Sequence, residues 1–345
     1  MQSEMDEKGI IMKKIKIAQI GINSLTHASQ TFGSLLKQTD VFEVVGVAEP
    51  IDEWKTNLET PLYKSVPHYT VDQLLGMDDL DAVAIETNEE YMTEYAQLFA
   101  DKGIAVHMDK PGSPDHAAFE KLAHTLRDKN LPFHLGYMYR FNPLILRAYE
   151  KIAAGELGDI IAVETQMNCL HDEETRRWLS RHPGGMMYYL GCHLVDLVYK
   201  LQGMPDEVLP MNMSTDTNGV KSEDFGFTVL KYKRGISFVK TSDVETNGFA
   251  RRQLVIVGTK GTVEIKPLEM HWGSGQKTYA CFTTRDMAKS WSDCSEKWET
   301  EEYDRYDAMM ADFAAQVRGE YKNPYDYDYE IALHGLLMRC CGVEI

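Results

Sequence analysis

The sequence predicts an α/β protein: an N-terminal doubly wound parallel sheet, then an α+β domain with a large, mostly antiparallel sheet. Three observations predict it. The 345 residues exceed the size at which a single hydrophobic core keeps growing, so two domains are expected. Up to Gly136, short apolar runs alternate with helix-like runs, the pattern of a parallel sheet covered on both faces. Beyond Arg140 the strand-like runs follow one another directly, with turn residues between them.

The elements follow in order. Ile15, Ile17 and Ile20 form a first strand running into Gly21, a helix carries Ala28, Phe32, Leu35 and Leu36, and a second strand spans Val44 to Ala48. Further strands are expected at Ala82 to Ile85, Ile104 to Met108 and Phe133 to Gly136, with helices at Val71 to Gly76, Glu89 to Lys102 and Asp115 to Lys129 between them. The second domain begins with a helix from Pro143 to Ala154, a strand at Ile160 to Gln166 and a helix from Gly191 to Leu201. Strands then read from Phe225 to Tyr232, Ile236 to Ser242, Leu254 to Gly258 and Thr262 to Lys266, and helices from Asp304 to Val317 and Tyr329 to Cys341 close the chain. The expected domains are a disordered leader at 1–11, a dinucleotide-binding domain at 12–136, and a substrate-binding and oligomerisation domain at 137–345.

Composition narrows the function. A hydrophobic fraction of 43% and a charged fraction of 26% describe an ordinary globular chain. A formal net charge of -17 repels phosphate backbones and anionic lipid, so nucleic acid and membrane are not expected partners. Without an apolar run of membrane-spanning length or a signal-peptide pattern, a cytoplasmic protein is expected. The 6 cysteines lack a C-x-x-C pair, which predicts reduced thiols and no metal site.

The first strand-to-helix turn reads Gly21-Ile22-Asn23-Ser24-Leu25-Thr26. A dinucleotide-binding turn uses glycines so that backbone amides and the helix N-terminus approach a pyrophosphate. Only the first glycine position is kept; Asn23, a residue that tolerates left-handed backbone, takes the second and Thr26 the third. An ordinary tight turn reads equally well from these residues alone. Glu49 ends the second strand, where an acid bonds ribose hydroxyls and repels a 2′-phosphate, so NAD is favoured over NADP.

Ile104 to Ser113, with Asp109-Lys110-Pro111, resembles the strand and Glu-Lys-Pro turn of the glucose-fructose oxidoreductase / inositol dehydrogenase (Gfo/Idh/MocA) family. Thr87-Asn88, Gly136 to Pro143, Gly155-Glu156-Leu157-Gly158 and Gly184-Gly185 through Gly191-Cys192-His193-Leu194-Val195-Asp196 resemble further family segments in the family's order. The resemblance implies a Rossmann domain that places Gly21, Asn23, Ser24, Leu25, Glu49, Thr87, Asn88, Asp109 and Lys110 at NAD, followed by a domain that commonly builds homodimers or homotetramers. Three departures accompany it. The glycine turn is degenerate, Tyr91 replaces a frequent His, and Tyr189 stands where the family's dehydrogenases have Asp.

Oxidising an alcohol requires a base for the hydroxyl proton while the carbon gives up hydride. With an ordinary pKa of about 6.5, His193 suits that role better than Lys110, an ordinary lysine being near 10.4. Lys110 then donates to the reacting oxygen. Tyr189, four residues before His193, either relays a proton from the same helical face or is a packed aromatic. The segment with Trp178 and Arg181 offers an aromatic face and planar donors for a polyol, and also reads as a solvated basic loop; Tyr139 and Asn142 are further substrate candidates. Three functions fit: an NAD-dependent dehydrogenase acting on a secondary hydroxyl of a sugar, glycoside or inositol-like polyol; a redox-neutral, NAD-retaining glycosidase or lyase working through a transient keto-sugar; and a non-catalytic nucleotide-binding regulator or scaffold.

Overall fold

The computed structural model describes residues 13–289 and 291–345. The expected leader at 1–11 lies outside them. The chain divides into two compact units: residues up to Gly136 with Tyr306–Ile331, and Tyr137–Arg305 with Ala332–Ile345. The change at 136/137 falls where the sequence texture changes, but the segment Tyr306–Ile331 groups with the first unit. Its helix Asp307–Val317 buries Met309, Met310, Phe313 and Ala314, and Phe313 lies against His107 and His134 of the first sheet.

In the first unit, β1 (Ile15–Ile20), β2 (Phe42–Ala48), β3 (Ala82–Ile85), β4 (Ala105–Met108) and β5 (Phe133–Leu135) form a parallel sheet in the order β2-β1-β3-β4-β5. All four residues of β3 and of β4 are buried, as expected for strands covered on both faces. The covering helices are α1 (Ala28–Lys37), α2 (Pro61–Lys64), α3 (Val71–Leu75), α4 (Glu89–Lys102) and α5 (His116–Asp128). In α5, Asp115 caps the first turn and Phe119, Leu122, Ala123 and Leu126 form one buried stripe at helical spacing.

The second unit contains α6 (Pro143–Ala153), β6 (Ile160–Asn168), α7 (Glu173–Leu179), a π turn at Met187–Gly191 and α8 (Cys192–Gln202). The strands that follow are β7 (Glu207–Met213), β8 (Phe225–Tyr232), β9 (Gly235–Ser242), β10 (Gln253–Gly258), β11 (Gly261–Ile265), the small hairpin β12 (Met270–Trp272) and β13 (Gly275–Lys277), β14 (Tyr279–Thr284) and β15 (Glu296–Glu299). Seven of them join β6 in one eight-stranded sheet in the order β15-β14-β11-β10-β6-β9-β8-β7, in which only β6 and β9 run parallel. Val163, Leu230, Val239, Leu254, Ile256, Val263 and Ile265 are buried. On the opposite face Leu209, Met211, Met213 and Ile236 are exposed, and Phe227 stacks on Phe238. α9 (Asp307–Val317) and α10 (Tyr327–Cys340) complete the chain. Among the described residues no helix is long and apolar enough to cross a membrane, and all six cysteines are free.

Candidate active site

Parallel strands end at one edge of a sheet, and the order β2-β1-β3 reverses direction at β1, which opens a crevice between the ends of β1 and β3. Gly21 sits there at φ +92°, and a Cβ on it would lie 2.4 Å from the Thr87 amide nitrogen. Only glycine fits that approach. Asn23, by contrast, does not adopt positive φ and acts through its side chain. Its amide donates to Asn88 Oδ1 at 2.9 Å and its Oδ1 accepts from the Leu25 backbone at 2.8 Å. Asn88 Oδ1 also accepts from the Trp54 indole at 2.7 Å, and Asn57 reaches the Ile22 carbonyl at 3.0 Å. Ser24 is exposed, and at the start of α1 the His27 amide donates to Asp109 Oδ2 and the Ala28 amide to Thr26 Oγ1, both at 3.4 Å.

Glu49, at the end of β2, is 7% exposed and accepts from Ile22 N at 2.6 Å and Ile51 N at 2.7 Å. Burial raises its carboxyl pKa, and the two amide bonds oppose the rise. At the end of β4, burial also works to raise Asp109, but His27 and Lys110 outweigh it and hold the carboxyl at about 2. His27 Nδ1 lies 3.1 Å from both Asp109 oxygens, and the Lys110 amide donates to Oδ1 at 2.8 Å. A Cβ on Gly136 would come within 2.7 Å of Asp109 Oδ1, so the glycine at the end of β5 leaves room for that carboxylate. Lys110 itself is buried. The edge thus gathers Gly21, Asn23, Glu49, Thr87, Asn88, Asp109 and Lys110. A turn glycine and an acid at the second strand end fit a dinucleotide.

In the second unit His193 is buried, with its ring edge-on to Tyr137 at 5.8 Å and to Tyr139 at 5.1 Å. The Tyr139 hydroxyl donates to Glu269, which also binds Arg252 at 2.7 Å and Arg305 at 3.1 Å. Burial, then the Glu269 charge, pushes the Tyr139 phenol well above its ordinary value, so it remains a neutral donor. Arg140 binds Asp196 through two hydrogen bonds of 3.0 and 2.8 Å, in a buried pair with Arg140 stacked over Tyr137.

Tyr189 lies in the π turn, where the four-residue spacing that would align it with His193 on an α-helix does not hold. It packs edge-on against Trp178 at 5.4 Å and tilted against His171 at 6.2 Å. Trp178 is buried, whereas Arg181 is exposed. Asn142 is fully engaged: Oδ1 caps α6 by accepting from Leu144 and Ile145, and Nδ2 donates to Leu268 O, Thr278 and Tyr303. It holds the fold and has no donor left for a ligand.

Sequence reasoning missed His27, Trp54, Asn57, Arg252 and Glu269. His27 follows the glycine turn directly and was open to detection as a helix-start residue. Glu269 and Arg252 carry no local signal, since their partners lie far away in the chain.

Residues 15–137 match the oxidoreductase family described as NAD-binding Rossmann fold, and residues 145–264 match the GFO/IDH/MocA C-terminal domain. This chain belongs to the Gfo/Idh/MocA family of oxidoreductases. Among its relatives, the uncharacterized oxidoreductase YhhX of Escherichia coli is 28% identical over 211 residues, covering 60% of this chain and 59% of the relative. D-xylose 1-dehydrogenase (NADP(+)) 2 of Haloferax volcanii is 28% identical over 175 residues, covering 50% of this chain and 53% of the relative. The matches therefore span less than two thirds of these curated relatives. The structure of UDP-N-acetylglucosamine 3-dehydrogenase GnnA from Acidithiobacillus ferrooxidans superposes with a TM-score of 0.74 at 17% identity, covering 95% of this chain and 97% of that one, and shares the fold.

Proposed function

We propose that this chain is an NAD-dependent dehydrogenase acting on a secondary hydroxyl of a sugar, glycoside or inositol-like polyol. The observation that carries the reading is Lys110, buried at the carboxyl edge of the first sheet beside Asp109 and near the glycine turn. A bound nicotinamide supplies the hydride acceptor. Lys110 donates to the reacting oxygen and stabilises the negative charge that develops there, while His193 takes the hydroxyl proton. Asp109 keeps its charge in this arrangement because His27 and Lys110 favour it. Tyr139 presents a ring face, since its hydroxyl is given to Glu269, and Trp178 supplies an apolar surface for a polyol.

The choice of NAD rests on Glu49, whose oxygens accept amide bonds and retain lone pairs for ribose hydroxyls. The Haloferax relative is named for NADP(+). The exposed apolar residues of β7 and β9 support self-association as a homodimer or homotetramer.

The test mixes purified protein with NAD or NADP and a panel of sugars, glycosides and inositols, and follows absorbance of the reduced nicotinamide. Reduction of NAD by at least one polyol is expected. Product formed at constant absorbance replaces this reading with the redox-neutral one, and no turnover with any compound overturns both.

A further inference from the structure

Behind the cofactor edge of the first unit, four ionisable side chains line up through the core. Glu86 directly follows β3 and is fully buried, and neither carboxyl oxygen makes a hydrogen bond of standard geometry. His107 Nε2 lies 3.9 Å from Glu86 Oε1. On the other side of its ring, His107 Nδ1 is 2.7 Å from His134 Nδ1, because β4 and β5 pair these two residues in register. His134 Nε2 is 3.4 Å from Asp312 Oδ2 of α9. Asp312 is partly exposed at 22% and accepts from Gln316 Nε2 at 2.7 Å, and Gln316 lines an open cavity of about 480 Å³ with Phe133, Tyr321, Asn323 and Tyr325.

We propose that Glu86, His107, His134 and Asp312 form a proton path that connects the interior beside the cofactor edge with solvent at Asp312. Two imidazole nitrogens 2.7 Å apart require one N–H between them. This leaves two arrangements that keep both rings neutral. In the first, a protonated Glu86 donates to His107 Nε2, His107 Nδ1–H donates to His134, and His134 Nε2–H donates to an ionised Asp312. In the second, each proton has moved one step outward: Glu86 is ionised, His107 carries its proton on Nε2, His134 carries its own on Nδ1, and Asp312 is protonated. Three N–H or O–H bonds break and three form, so the net change is one proton moved from Glu86 to Asp312 without a buried imidazolium.

The electrostatics agree with the first arrangement. Burial, helped by the Asp109 charge, lifts Glu86 well above the ordinary carboxylate range, while Thr31 and Lys110 oppose. Burial, then His134, lowers His107 well below its ordinary value, with Asp109 opposing. Around Glu86 stand Thr31 of α1, Tyr63 of α2, Glu89 of α4, and Asp109 and Lys110 at the end of β4. Phe313 of α9 packs tilted against both rings, at 5.7 Å from His107 and 5.5 Å from His134. Two links are longer than the bond between the rings, Glu86–His107 at 3.9 Å and His134–Asp312 at 3.4 Å, and a turn of each carboxyl group toward its imidazole is the motion the path requires. The path rests on the dehydrogenase reading only for its use, because oxidation of an alcohol releases a proton that has to reach solvent.

The test needs neither cofactor nor substrate, so its outcome is independent of the assigned reaction. In the full chain labelled with ¹⁵N-histidine, the side-chain N–H of His107 is followed as it exchanges with deuterium, beside the backbone amides of β4. His107 is expected to exchange at least about a hundredfold faster than those amides. Asp312→Asn, which does not touch His107, is expected to slow that exchange at least tenfold at unchanged amide rates, and Asp312→Glu to restore it. Exchange of His107 at the rate of the β4 amides in the unmodified chain, or an unchanged rate in Asp312→Asn, overturns the proposal. If Asp312→Asn also speeds the amides, Asp312→Glu decides: native amide rates with slow His107 exchange overturn the path.

Discussion

The carboxyl edge of the first sheet and the aromatic-lined turn of the second unit hold their polar side chains by different means. At the edge, backbone amides do much of the holding: Ile22 and Ile51 donate to Glu49, and Lys110 donates to Asp109. In the second unit, side chains hold side chains. Two tyrosine rings flank His193, Asp196 fixes Arg140, and Arg252 with Arg305 fixes Glu269. A group held by backbone tolerates changes in its neighbours, because the peptide stays in place when a side chain is replaced. A group held by another side chain transmits the loss. Substitutions at the edge should therefore act on chemistry, and substitutions in the second unit on chemistry and stability together.

The largest effects should come from the two assigned catalytic residues. Lys110→Ala removes the donor at the reacting oxygen and is expected to lower turnover about a hundredfold or more, with little change in NAD affinity. His193→Ala is expected to cost about 10² to 10⁴ in turnover and to remove the acid limb of the pH-rate profile. It should also lower the melting temperature, because its ring fills the space between Tyr137 and Tyr139. Steady-state rates over a pH series and thermal melts read both. If His193→Ala remains active on a verified substrate, the proton acceptor lies elsewhere.

Next comes the buried ion pair. Asp196→Ala leaves Arg140 charged and unpaired in the core, and urea unfolding is expected to show a loss of about 3 kcal/mol or more. The double replacement Arg140→Met with Asp196→Leu removes both charges and should recover most of it. A double variant as unstable as the single would show that the pair contributes more than charge balance.

The same difference explains what the sequence made legible. Strand ends in a parallel sheet lie at one edge by topology, so runs such as Ala82–Ile85, read as a strand and found as one, place Thr87 and Asn88 without knowledge of any contact. Amphipathic spacing likewise locates Glu89–Lys102, which ends at Gly103 in the left-handed conformation. In the second unit, β7 carries no readable strand signal: Pro210 lies inside it, paired with Thr228, and Leu209, Met211 and Met213 point outward. The π turn at Met187–Gly191 has no sequence signature, and it shifts Tyr189 from the helical position that its spacing implies. The cluster of Tyr139, Arg252, Glu269 and Arg305 joins distant segments, and only the folded sheet brings them together.

A smaller effect is expected at Glu49. The unmodified chain should bind NAD about tenfold more tightly than NADP, a difference near 1.4 kcal/mol. Glu49→Gln keeps the side chain's shape, removes its charge and leaves one of the Ile22 and Ile51 amides without its acceptor, so the preference should shrink to within about a factor of three, about 0.6 kcal/mol. Burial raises the Glu49 carboxyl, so acidification neutralises it at a higher pH than an ordinary glutamate near 4.3, and the preference for NAD should fade from there downward. Titration of both cofactors across pH tests each part. Equal affinities in the unmodified chain would remove Glu49 from this role.

The smallest expected effect is also the most discriminating. Tyr189→Phe keeps a ring against Trp178 and His171 and removes only the hydroxyl. A phenol with an ordinary pKa near 10 is a weak unaided base near neutral pH, and the π turn gives Tyr189 aromatic neighbours of its own. Packing is then its main contribution, and turnover of Tyr189→Phe should stay within about threefold of the unmodified chain, a barrier change well under 1.4 kcal/mol. Tyr189→Ala, which also empties the space beside Trp178, should lower the melting temperature as well as the rate. Measured together, the two variants separate ring from hydroxyl. A loss of a hundredfold or more in Tyr189→Phe, at an unchanged melting temperature, would make the hydroxyl a proton relay and move part of the chemistry from His193 to the π turn.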